Sequence, residues 1–294
     1  MTTEALLSVR GLTTVFDGPA GPAAAVANVS FDINAGETLC LVGESGSGKS
    51  LTALSILRIV PPPGRVASGV AIFKGVDLFG LGDEEMQLVR GAEIGLVFQE
   101  PMSALNPVFS VGAQIAETLF VHGRAASARE ARKQTVELLR KVRMPEPERQ
   151  ADEYAHQLSG GLRQRAMIAL AIACAPALLI ADEPTTALDA TIQAQVLGLL
   201  REMRDELGLG LLLITHDLGI VAEAADRVAV MYAGRIVEQA PVRDLFRDPK
   251  HPYTRGLLAS VPAGKAGERL RAIPGTVPAP GEVAAGCPFS PRCP

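Results

Sequence analysis

A chain of 294 residues with 48% hydrophobic and 20% charged residues can bury a large core and is too apolar to be disordered, so it predicts one large or two smaller globular domains. Its formal net charge of −4 removes nucleic acid from the favoured partners. Four scattered cysteines, Cys40, Cys174, Cys287 and Cys293, the first two inside apolar runs, exclude a secreted disulfide framework and point to a reducing compartment. The opening Met1-Thr2-Thr3-Glu4 has no basic stretch leading into an apolar one, which argues against a signal peptide.

Residues 6–10 and 26–33 alternate apolar and polar side chains and predict two half-buried strands, with a loop at 18–22 between them. Phe16 stands at the edge of that loop. An aromatic ahead of a phosphate-binding loop can stack on a purine base; packing into the core is the competing reading. Residues 38–42 predict a short buried strand and 51–59 a helix. Between them, Gly43-Glu44-Ser45-Gly46-Ser47-Gly48-Lys49-Ser50 fits the P-loop pattern of glycine, four residues, then Gly-Lys-Ser/Thr. A polyphosphate has to be met by several main-chain N–H groups at once, and glycines let the backbone curl into that nest with no Cβ in the way. Lys49 supplies a mobile positive charge for the β- and γ-phosphates, and the Ser50 hydroxyl is a candidate Mg²⁺ ligand.

Pro61-Pro62-Pro63-Gly64 breaks the chain. A strand at 70–74, a short helix at 83–90 and a buried strand at 94–98 follow, the last delivering Gln99, whose amide can reach a metal or a water. From 111 to about 143 the pattern is helical, and 144–148 interrupts it, so a helix-rich segment sits between strand-rich ones as an inserted subdomain. Leu158-Ser159-Gly160-Gly161 then opens another helix as a second anion-ready N-terminus without a lysine. Residues 166–181 run without a charge, but they are shorter than the roughly 18 to 20 residues a bilayer needs and contain Pro176. They predict a buried helix to about 174 and a core strand at 178–181.

That strand ends in Asp182 and Glu183. Side chains alternate along a strand, so Asp182 is expected to serve Mg²⁺ while Glu183 faces a water poised to attack the γ-phosphate. A strand at 211–214 delivers His216, placed as a γ-phosphate sensor. A hairpin over 227–240 around Ala233-Gly234, a short helix at 242–246, His251-Pro252-Tyr253-Thr254 with an apolar segment, and a Pro/Gly/Ala-rich tail complete the chain.

This ordered set resembles the ATPase subunit of ABC transporters over nearly the whole chain. Gly43 to Ser50 looks like its Walker A motif, Gln99 its Q-loop, and Leu158 to Gly161 its signature. Leu178 to Asp182 with Glu183 is similar to its Walker B and catalytic glutamate, Ala187-Leu188-Asp189 to its D-loop, His216 to its switch histidine and Phe16 to its A-loop aromatic. The resemblance implies an α/β fold, a P-loop NTPase (RecA-like) core with an antiparallel β subdomain, an inserted α-helical subdomain at about 100–170 and a small C-terminal appendage. Its boundaries would be 1–260 for the ATPase domain and 261–294 for the tail. It also implies head-to-tail pairing in which Ser159, Gly160 and Gly161 bind a partner's γ-phosphate, with Asp189 of the D-loop a further nucleotide-binding candidate. Leu162 stands where glutamine is common and is expected to face the helix start more than the phosphate.

A narrower likeness is to the oligopeptide/dipeptide importer branch, D-type. The likeness to the branch is carried by Gln99-Glu100-Pro101-Met102-Ser103-Ala104-Leu105-Asn106-Pro107, by Pro184-Thr185-Thr186-Ala187-Leu188-Asp189 with Thr191-Ile192-Gln193-Ala194-Gln195, by His251-Pro252-Tyr253-Thr254 and by the terminal cysteine motif, and that to the D-type by Leu162-Arg163-Gln164-Arg165-Ala166-Met167-Ile168-Ala169. This implies ATP and Mg²⁺ as cofactors, a paralogous F-type ATPase, two transmembrane permease subunits and an extracytoplasmic peptide-binding protein as partners, and a peripheral place on the cytoplasmic face of the inner membrane. Nickel and glutathione importers share the branch. Some members hold a [4Fe–4S] cluster on C-terminal cysteines, which makes Cys287 and Cys293 candidate ligands; such a cluster normally takes four thiolates, and two free thiols are the competing reading. The rival from another class is a soluble ABC ATPase acting on DNA or ribosomes. Members working on DNA ends place a long coiled coil between Walker A and signature, whereas 50–159 here is broken by Pro and Gly and has no heptads.

Overall fold

In the computed structural model, which describes residues 5–19, 21–260, 273–282 and 286–294, the chain forms two compact units. One comprises Met1–Leu81 and Leu212–Pro294, the other Gly82–Leu211. The opening tetrapeptide and 261–272, where the tail was expected to begin, lie outside the described residues.

The first unit starts with an antiparallel pair, β1 (Leu7–Gly18) and β2 (Gly21–Ile33). Leu7, Val9 and Leu12 on one strand and Val29, Phe31 and Ile33 on the other are buried, as a half-buried sheet requires. Both strands run further toward their turn than alternation predicts. Val15, Phe16 and Asp17 pair with Ala24, Ala23 and Pro22, where an Ala-rich stretch carries no periodic signal of its own. Strand β3 (Thr38–Val42) is buried at every residue and feeds α1 (Lys49–Ile56). Strand β4 (Gly64–Phe73) begins directly after the prolines, six residues before the expected start, because β1 supplies a partner along its whole length. With β5 (Val76–Asp77) it completes a four-stranded antiparallel sheet in the order β2-β1-β4-β5.

The second unit holds α2 (Asp83–Val89), β6 (Ile94–Val97), and the helices α3 (Pro101–Ala104), α4 (Val111–Val121), α5 (Ala128–Lys141), α6 (Pro147–Gln150) and α7 (Gly160–Ala171). The helical pattern expected over 111 to about 143 is carried by two helices, α4 and α5; Gly123 at φ +65° follows the first and the Ser127 side chain caps the second. Strand β7 (Leu178–Asp182) is wholly buried and runs parallel to β6, Ile94 opposite Leu178 through Val97 opposite Ala181. Helix α8 (Ala190–Leu207) follows; Asp189 caps its start and Gly208, at φ +63°, closes it.

The first unit resumes in β8 (Gly210–Thr215), α9 (Leu218–Ala224), and the hairpin β9 (Arg227–Tyr232) and β10 (Arg235–Pro241), which turns at Ala233-Gly234 as predicted. Within this unit β3 lies between β8 and β9 and runs parallel to β9. Helices α10 (Val242–Arg247) and α11 (Pro252–Ala259) complete the elements. The alternation of buried parallel strands with helices, beside a separate antiparallel sheet, is the α/β class expected.

Candidate nucleotide-binding site

In the first unit, β3 ends where the chain must turn sharply into α1. A Cβ on Gly43 would stand 2.1 Å from the Met231 carbonyl oxygen, and one on Gly48 would stand 2.8 Å from that of Ala25. Neither position admits a side chain, because the obstacles are main-chain atoms. Gly46 at φ +78° and Gly48 at φ +100° hold the left-handed turns of the loop. Lys49 is buried, and its Nζ donates to the carbonyls of Gly43 (2.9 Å) and Glu44 (3.1 Å), so the ammonium curls back over the loop's opening residues. The Ser47 hydroxyl is fully buried without a partner, and its main chain is fixed by donation to Glu44 O and acceptance from Gly234 N–H. A glycine-curled loop with a lysine ammonium folded over it, at the start of a helix, has the backbone shape and the charge sign that suit a phosphate.

Two other predicted residues belong to this unit. The half-buried Phe16 ring rests over the backbone of Gly64, where an added Cβ would come within 2.8 Å of it. His216 is exposed directly after β8. The next turn is tied locally, Thr215 Oγ1 accepting from Asp217 N–H and Asp217 Oδ1 from Gly219 N–H.

In the second unit, Asp182 ends β7 and is buried. Glu183 leaves the strand at φ +45°, so pleat alternation does not set its direction as expected. Two donors aim its Oε2 instead: Gln99 Nε2 at 3.2 Å and Thr186 Oγ1 at 2.9 Å. A non-glycine residue in the left-handed region carries backbone strain, which these side-chain bonds help to hold. Sequence reading missed Thr186 as a partner, although its place three residues after a strand-end carboxylate carried the signal.

Ser159, Gly160 and Gly161, expected as the signature, and Ala187, Leu188 and Asp189, expected as the D-loop, line one concave region of about 620 Å³ in this unit. Ser159 caps α7 by accepting from Leu162 N–H at 3.4 Å, and Gly161 lies so close to Ile192 that a Cβ would meet its Cγ2 at 2.9 Å. Leu162, in the first turn of α7, also lines the hollow. Asp189 Oδ1 accepts from the N–H groups of Thr191 and Ile192, each at 3.0 Å.

The Ser50 hydroxyl in the first unit and the Asp182 carboxylate in the second are each hard oxygen donors, the type Mg²⁺ prefers. The cysteines give no comparable set for iron. Cys287 and Cys293 are exposed thiols, and among the described residues no three or more His, Cys, Asp or Glu side chains group to hold a metal ion. The nearest approach is Cys287 Sγ to His251 Nε2 at 3.7 Å, which does not fit the four-thiolate cluster considered above. Burial pushes the Cys40 and Cys174 thiols above their ordinary range and keeps them neutral.

Residues 26–186 match the family model for the ABC transporter, and residues 237–294 match that for the oligopeptide/dipeptide transporter C-terminal region. A Brucella ovis protein named for peptide import and ATP binding is 52% identical over 306 aligned positions, covering 100% of this chain and 90% of its own. The oligopeptide transport ATP-binding protein OppD of Bacillus subtilis is 52% identical over 276 residues, 93% of this chain and 77% of that one. Among solved structures, the dimeric post-hydrolysis state of the ATP-binding cassette MJ0796 bound to ADP and Pi is similar with a TM-score of 0.73 at 28% identity, over 81% of this chain and 99% of that one.

Proposed function

Because the chain belongs to the ABC transporter family, we propose that it is the ATP-hydrolysing subunit that powers an importer of di- and oligopeptides. The observation that carries this reading is the joining, in one chain, of a P-loop closed to any side chain at Gly43 and Gly48 with a C-terminal region of the oligopeptide/dipeptide type.

In this reading Phe16 stacks on adenine, and the loop from Gly43 through Glu44, Ser45, Gly46, Ser47 and Gly48 to Lys49 holds the phosphates. Ser50, Asp182 and Gln99 are the candidate Mg²⁺ ligands, and a bound ion would supply neutralisation of phosphate charge. Glu183 polarises the attacking water and His216 steadies the γ-phosphate. Ser159, Gly160, Gly161 and Asp189 act on the nucleotide of a second cassette, a paralogue of the F-type. Supporting this is the dimeric, ADP- and Pi-bound state of a solved relative. Two permease subunits and an extracytoplasmic binding protein complete the assembly. The subunit lies peripherally on the cytoplasmic face; no helix among the described residues is long and apolar enough to cross a membrane.

The test is transport by the assembled complex in proteoliposomes. A labelled dipeptide or tripeptide should enter with ATP inside, and the peptide-loaded binding protein should raise phosphate release severalfold. Uptake of nickel or glutathione in place of peptide moves the cargo; full-speed turnover by the isolated chain, with no second cassette engaged, removes the paired site.

A further inference from the structure

The C-terminal segment reaches the P-loop. Arg292 lies 248 residues from Glu44, the second residue of the loop, yet its guanidinium meets that carboxylate in a fork: NH1 to Oε2 at 2.7 Å and NH2 to Oε1 at 3.1 Å. The remaining donors are also engaged. Nε bonds Pro274 O at 2.7 Å, NH1 also bonds Tyr232 Oη at 3.3 Å, and NH2 also bonds Ile273 O at 3.2 Å. All five N–H groups of a guanidinium are therefore spent, as its burial at 6% side-chain exposure demands.

A second tie fastens the same residue. The main-chain N–H of Glu44 donates to Tyr253 Oη at 2.9 Å, and Tyr253 is itself fully buried. Its ring packs on Tyr232 and Phe289, with centroids 4.6 and 5.4 Å away, and the Arg292 guanidinium lies 5.6 Å from the Tyr232 ring. Both the side chain and the backbone of one P-loop residue are thus held by groups outside the loop. Lys49 in turn bonds the carbonyl of that residue. A shift at Glu44 is passed directly to the ammonium that meets the phosphates.

We propose that Arg292 is a positioning residue for nucleotide binding: carried by the C-terminal segment, it clamps Glu44 and sets the first turn of the P-loop in the curl that accepts phosphate. This rests on the reading of the loop as an ATP site. ATP affinity then depends on docking of the C-terminal segment, and the catalytic groups of the second unit are untouched.

The experiment is a double-mutant cycle on the full chain with Arg292→Lys, Glu44→Gln and the two combined, reading the Kd of a fluorescent ATP analogue, kcat at saturating ATP and the thermal midpoint. Lysine keeps the charge but loses the fork, so each single change should raise Kd by about five- to tenfold. In Arg292→Lys the saturated kcat should stay within about twofold, and the double variant should bind no worse than the weaker single. A Kd at the wild-type value in Arg292→Lys, or losses that multiply in the double variant, overturns the clamp even where the melting point falls. If Arg292→Lys does not fold, Glu44→Gln decides alone by the same Kd criterion. Lys49→Ala separates the two levels: binding that survives it sinks the ATP reading of the loop itself.

Discussion

The amide of Gln99 and the carboxylate of Glu183 meet at 3.2 Å although 84 residues separate them, and Thr186 Oγ1 reaches the same Oε2 at 2.9 Å. Glu183 sits at φ +45°, off the strand that precedes it, so these two donors rather than the backbone decide where the carboxylate points. Glu183→Gln keeps an oxygen to accept both bonds and removes the basicity. ATP turnover should fall by about 10²–10⁴-fold while nucleotide Kd stays within about threefold. Phosphate release and equilibrium binding on the same preparation check this; turnover at the wild-type rate takes the water-activating role away from Glu183.

The parts of the site made from short local patterns were legible in the sequence. Gly43 to Ser50, Ser159 to Gly161 and the strand ending at Asp182 each carry their reason within a few residues. Helix α8 (Ala190–Leu207) was passed over although Asp189 and Gly208 mark its ends as cap and stop; Asp189 was weighed as a loop carboxylate, and its capping bonds belong to the helix it starts. Strands β1, β2 and β4 were read too short because their extra length comes from pairing, as between Phe16 and Gly64, which no run of side chains announces. Arg292 and Glu44 illustrate the limit: at a separation of 248 residues nothing local couples them.

The closeness of Gly43 to Met231 makes a sharp prediction. A methyl group at Gly43 would lie 2.1 Å from a main-chain oxygen, which no change of side chain at Met231 can withdraw. Gly43→Ala should cost about 1–3 kcal/mol in denaturant unfolding and abolish measurable ATP binding. Adding Met231→Ala should recover neither. Recovery of binding in the double variant shows that the obstacle is the thioether and that the main-chain argument is wrong.

Gly161 faces a different neighbour. An added methyl group there meets Ile192 Cγ2 at 2.9 Å, a side-chain atom that truncation removes. Gly161→Ala should lower stability by about 1 kcal/mol and ATPase activity of the paired cassettes by about tenfold or more, with ATP Kd of the isolated chain unchanged. Combined with Ile192→Ala, the stability should return and the ATPase should not, if the bare backbone has to approach a partner's phosphate. Parallel recovery of both would show that Gly161 serves only packing.

His251 gives the docked C-terminal segment a pH dependence. Its Nδ1 accepts the Tyr253 N–H at 3.1 Å, capping α11, and Cys287 Sγ lies 3.7 Å from its other nitrogen. The one carboxylate bound to its main chain is Glu238, whose Oε2 accepts the His251 N–H at 2.9 Å. Burial holds the imidazole below its ordinary value, and the Glu238 charge opposes that only in part. The unfolded chain therefore takes up this proton at about pH 6.5, before the folded one does. The cap is worth its full amount above that pH and is lost as pH falls through the depressed folded value, where the proton occupies the lone pair that held Tyr253. Because Tyr253 Oη also bonds Glu44 N–H, the same window should loosen the P-loop. His251→Asn keeps a capping oxygen that does not titrate. Between pH 7 and pH 5 the wild-type thermal midpoint should fall by about 2–4 °C more than that of the variant. Parallel declines in the two proteins would refute a role for His251 in the acid sensitivity of this segment.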